Sequence, residues 1–127
     1  MLKVDDGNVS HQIIRQMIIW IESDLSRRMT VSEIGKMSRY TPWHFQKLFK
    51  FATGFSLMGY IRSRRMTVAA ELLNSTELSV KAIYSQVGYT DGATFTRAFH
   101  RHFGITPTEF RCSDTRTSDK MVKSLLH

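Results

Sequence analysis

Trp43, Gln46, Lys47 and Lys50 recur at i, i+3, i+4 and i+7, the spacing that puts side chains on one face of a helix. A bland solvated face would not carry a large indole. Here it stands with an amide able to bond a base edge in two places and with two cations, on an element slim enough to enter the DNA major groove. Phe45, Leu48, Phe49 and Ala52 repeat the spacing on the other side and form an apolar stripe expected to be buried. The stretch from Thr30 to Gly54 therefore reads as a helix-turn-helix whose recognition helix runs from Pro42 to about Ala52. As a duller alternative, Trp43 is a partly buried cap on the helix start; its inward neighbours already fill the stripe, which favours the base-facing role.

Local signals fix the elements that hold this face. Thr30 with Glu33 three residues on makes a capping box, and Ile34 and Met37 are expected to face inward. Thr41 is an N-cap before Pro42 at the first helical position, and Gly54 suits a left-handed C-cap. Upstream, residues 1–8 are polar and aperiodic and read as a loose arm. Val9 to about Leu25 reads as an amphipathic helix with Ile13, Ile14, Met17, Ile18, Trp20 and Ile21 on its apolar arc, which makes Trp20 a core residue rather than a binding one. Downstream, Ser56 caps a longer helix to about Leu73, with Leu57, Ile61, Val68 and Leu72 on one side and Tyr60, Met66, Ala69 and Leu73 beside them. At ~1.5 Å per residue, roughly 18 residues span ~27 Å, close to the ~34 Å of one DNA turn.

A second copy follows. Thr30-Val31 matches Ser79-Val80, Ile34 matches Ile83 and Tyr40-Thr41 matches Tyr89-Thr90, all at an offset of 49. One inserted residue moves the offset to 50, after which Phe45 matches Phe95, Lys47 matches Arg97, Phe49 matches Phe99, Gly54 matches Gly104 and Tyr60 matches Phe110. Core, turn and C-cap positions agree together, which marks a duplicated unit. In its recognition helix, about Gly92 to His102, the outward residues are Ala93, Thr96, Arg97 and His100, with Arg97 alone a strong base reader. This unit is expected to hold phosphates and read fewer bases. Thr106-Pro107-Thr108-Glu109 is a further capping box before a short last helix and Arg111. Residues 112–127 form a polar tail with apolar pairs at Met121-Val122 and Leu125-Leu126, compatible with one amphipathic turn or with disorder.

The expected fold is all-α, with two helix-turn-helix subdomains over 9–54 and 75–111, a connector helix over 55–74, an arm over 1–8 and the tail. Lys and Arg number 18 against 11 Asp and Glu, a net charge of +7 that suits a polyanion but is weak evidence alone. One cysteine, Cys112, excludes an internal disulfide framework and fits a reducing compartment. Neither a membrane-spanning run nor a signal-peptide pattern is present, so a cytoplasmic protein is expected. His100 and His102 diverge on a helix and cannot share a metal as an i, i+4 pair does. No paired carboxylates, phosphate-cradling glycine loop or His and acid partners for Cys112 stand at recognisable spacing, so neither an enzyme nor a cofactor is expected.

At WHFQKLFK, GYIRSRRM and GYTDGATFTRAFHRHFGITPTEFR the chain resembles the AraC/XylS family of bacterial transcription activators, and within it the small stand-alone type; the resemblance runs from about Val9 to Arg111. It implies seven helices and two recognition helices in successive major grooves of bent promoter DNA. It places Trp43, Gln46, Lys47, Thr94 and Arg97 against bases and Thr41, Arg62, Thr96 and Arg111 near phosphates, with Lys50 joining the phosphate set. Arg62 is singled out from its neighbours Arg64 and Arg65 on this ground. The family commonly has Arg where Lys47 stands, and its stand-alone members a pair of Gln where this chain has Gly92-Ala93. A point charge in place of a guanidinium fork relaxes guanine reading in the first groove, and adenine contacts are missing from the second. The resemblance further implies a monomer controlled by its own abundance, activation through contact with RNA polymerase, and a place in stress response or antibiotic resistance. The alternatives are a helix-turn-helix protein-interaction module and the DNA-binding fragment of a larger regulator.

Overall fold

The computed structural model describes residues 2–113, with side chains from residue 9 onward. These residues form helices α1 (Leu2–Ser23), α2 (Val31–Ser38), α3 (Pro42–Thr53), α4 (Leu57–Ser75), α5 (Val80–Gln86), α6 (Gly92–Phe103) and α7 (Pro107–Cys112). The expected arm is instead the first turns of α1, which begins at Leu2; once a helix exists, each further residue adds a hydrogen bond at little cost. The tail expectation, beyond Ser113, lies outside the described residues.

The chain divides into two compact units, Met1–Arg62 and Ser63–His127, so the boundary falls inside α4 and not at the ends of a separate connector. The reason is in the α4 residues. Leu57 and Ile61 are buried in the first half, and Met66, Ala69, Ala70 and Leu73 in the second, so each unit takes half of the helix into itself.

In the first unit Ile14, Met17 and Ile21 of α1 are buried with Ile34, Phe45 and Phe49. Of the six positions expected to face the core from α2 and α3, three are not buried. Met37 is 43% exposed, Leu48 is half-buried and Ala52 is exposed. Each lies at the margin of its helix's apolar arc, where burial depends on whether another element arrives to cover it. Trp20 is half-buried and takes the Arg27 guanidinium 4.1 Å above its ring. The Tyr60 hydroxyl donates to Glu22 at 2.6 Å.

The duplication is geometric as well as sequential. Phe45 and Phe49 have ring centroids 5.9 Å apart, and Phe95 and Phe99 5.8 Å. Tyr60 meets Phe49 edge-on at 5.6 Å, as Phe110 meets Phe99 at 5.7 Å. Gly54 and Gly104 end α3 and α6 at φ 83° and 84°, a backbone state favouring glycine. The helix-to-helix packing differs in one respect. A methyl added to Gly35 would lie 2.9 Å from Pro42 Cα, whereas the equivalent approach in the second unit sets Tyr84 3.4 Å from a methyl added to Gly92. Small faces large in both, with the two sides exchanged.

Candidate nucleic-acid interface

α3 is started by Thr41, whose hydroxyl oxygen accepts the His44 amide at 3.1 Å, and by Pro42 at its first turn. With Phe45 and Phe49 fully buried, the helix has one rotational setting, and that setting turns Trp43, Gln46, Lys47 and Lys50 to solvent. Trp43 is 65% exposed, so it does not cap the helix from within the fold. Its ring takes the Lys47 ammonium 4.0 Å from the centroid. Capping uses a lone pair of Thr41 and leaves its O–H free to donate to an anion.

α6 is started by Asp91, a cap that sequence reading passed over although Asp directly before a helix is a favoured N-cap. Its carboxylate accepts both the hydroxyl of Thr94, at 2.6 Å, and the Thr94 amide, at 2.8 Å. Those two bonds hold its carboxyl below the usual carboxylate range, the hydroxyl contributing most. Thr94 therefore offers a partner its methyl group and oxygen lone pairs, since its proton is engaged. Arg97 is exposed, Thr96 half-buried, and both line an open hollow with His100, Arg101 and Thr106. Arg101 drew no attention in the sequence although it stands within the stretch that carries the family resemblance; its i, i+4 spacing from Arg97 was the available signal.

Arg62 is exposed, whereas Arg64 and Arg65 are half-buried. Arg111 is half-buried and bonded within its own unit. Its Nε donates to the Leu73 carbonyl at 3.2 Å, Nη2 to Thr76 at 3.1 Å and Nη1 to Leu78. Leu73 is in the last turn of α4, where carbonyls lack helical partners, and Thr76 and Leu78 lie in the segment that follows. In the structure Arg111 acts as a clamp within the second unit. Among the described residues, no group of His, Cys, Asp and Glu could hold a metal ion, and no helix is long and apolar enough to cross a membrane.

A helix-turn-helix domain family model matches residues 25–113. The transcriptional activator AarP of Providencia stuartii is 36% identical over 110 residues, covering 87% of this chain and 82% of that protein. The regulatory protein SoxS of Escherichia coli is 36% identical over 104 residues, covering 81% of this chain and 97% of that protein. Among solved structures, the C-terminal domain of AraT, a response regulator from Geobacillus stearothermophilus, matches with a TM-score of 0.75 at 28% identity, across 81% of this chain and 92% of that one.

Proposed function

The chain belongs to the AraC-type family of helix-turn-helix transcription regulators, and on that premise we propose that it activates transcription by seating α3 and α6 in successive major grooves of bent promoter DNA. It is a sequence-specific DNA-binding regulator, not an enzyme. The observation that carries the groove reading is the exposed set Trp43, Gln46, Lys47 and Lys50 on a helix whose opposite face is locked by two buried phenyl rings.

In this reading Gln46, Lys47 and Trp43 face bases from α3, and Arg97 and the Thr94 methyl from α6. Thr41, Lys50, Arg62 and Thr96 hold phosphates, with Arg101 added to that set. Backbone cations release condensed counterions and set most of the affinity, so binding falls steeply with salt. Seating both helices requires the duplex to bend, at ~1–6 kcal/mol depending on its sequence. The protein works as a cytoplasmic monomer that touches RNA polymerase beside the promoter.

Selection of bound sequences from a random duplex pool tests this. Two conserved base clusters separated by about one helical turn, ~10 base pairs, are expected, with the α6 cluster the less restrictive. A single cluster, or none, overturns the two-groove reading.

A further inference from the structure

Phe51 is 89% exposed and Phe55 55% exposed. α3 thus has a third face, on which His44, Leu48 and Phe51 recur at i, i+4 and i+7. Phe51 lies about a quarter turn around the helix from the base-facing set, so reading bases gives no reason for a phenyl ring there. A phenyl ring this bare beside a half-buried leucine suits an interaction surface.

Two hollows meet at Phe51. One, of about 140 Å³, is lined by Ser10, His11, Ile14, Leu48, Phe51 and Ala52 and has room for one apolar side chain. The other is lined by His44, Lys47, Leu48, Lys50 and Phe51. Among the described residues no carboxylate lines either hollow, and their polar rim carries two lysines and two histidines.

We propose that this face docks an acidic amphipathic helix of a protein partner, with an apolar anchor beside Phe51 and carboxylates against the cationic rim. Charge selects this occupant. A second copy would bring the same cations against themselves across a two-fold interface. The chain's own segment around Met121 and Leu125 carries Lys120 and Lys123 beside its apolar residues, a poor charge match for this rim. The proposal shares Lys47 and Lys50 with the groove reading and adds Phe51, which that reading does not use.

The test uses the full chain without DNA and a fluorescein-labelled helical peptide with Leu at i, i+3, i+4 and i+7 and Glu elsewhere, alongside its Lys-for-Glu counterpart. Fluorescence anisotropy is expected to show the Glu peptide binding at least tenfold more tightly than the Lys peptide, and Phe51→Ser weakening it at least tenfold. Affinity of Phe51→Ser for duplex DNA should stay within twofold of the parent, and its circular dichroism should be unchanged. Equal binding of both peptides, binding indifferent to Phe51→Ser, or an equal loss of DNA affinity overturns the proposal. So does sedimentation showing a dimer of the parent that Phe51→Ser dissolves.

Discussion

The Lys47 ammonium rests 4.0 Å from the centre of the Trp43 ring, so two residues one helical turn apart form a single exposed unit. The contact costs Lys47 part of its rotamer freedom before any partner arrives, which lowers what remains to be lost on binding. A double-mutant cycle on the preferred DNA site checks this. Trp43→Ala should cost ~1–3 kcal/mol, and its coupling to Lys47→Ala should be ~0.5–1 kcal/mol. Independent losses would show that the two residues act separately.

Arg111 should behave as a fold residue. Arg111→Ala leaves three backbone carbonyls around the end of α4 short of a donor, a loss of about 1–3 kcal/mol that a thermal melt would register. The slope of log affinity against log salt should hold steady for this variant, whereas Arg62→Ala should reduce it by ~1. A reduced slope in Arg111→Ala with an unchanged melt would return it to the phosphate set.

Among the described residues, Arg39 is the one non-glycine at positive φ, 69°, and it ends α2 where the second unit has Gly88 at φ 93°. A side chain in that region costs ~1–2 kcal/mol, and glycine gives back ~0.5–1 kcal/mol through its freer unfolded state. Arg39→Gly should therefore stabilise the first unit by up to ~1.5 kcal/mol, read as a raised melting temperature. Gly35→Ala should act in the opposite sense, because the new methyl meets Pro42 backbone; overpacking of this kind costs ~1–3 kcal/mol.

Asp91 gives α6 a pH dependence with a defined sign. Its folded carboxyl sits below the ordinary value, so the unfolded chain binds the proton more tightly and stability is gained on deprotonation. The contribution is complete above the unfolded carboxylate range, about pH 4, and is lost as pH falls through the folded value. Melts of the parent and Asp91→Asn at neutral pH and near pH 3 should show the parent losing more stability on acidification, because the amide oxygen caps the helix at either pH. Parallel losses would assign the acid sensitivity to other groups.

Most of the helix frame was legible in the residues because its signals are local. Thr30, Thr41, Ser79 and Thr106 each accept the amide three residues on, and at α7 the Glu109 carboxylate returns the bond. At α2 the Thr30 hydroxyl makes the forward bond alone, so the expected reciprocal box closes only at α7. The repeat too was visible, because phenyl rings and C-cap glycines at fixed offsets need no partner to be recognised. Leu48, Ala52 and Met37 were misplaced for the converse reason, since a marginal position on an apolar arc is buried only if a neighbour covers it.

By itself, then, the sequence determined the helices, the duplicated frame and the solvent-facing set on α3. Periodicity and capping act within one or two turns, where chain order is spatial order. Tertiary structure decided which partners distant segments supply. Arg111 acts on carbonyls 33 to 38 residues away, Phe51 is left bare between two hollows, and the division between the two units falls within α4. Each of these depends on which distant segment arrives beside a residue, and packing alone sets that.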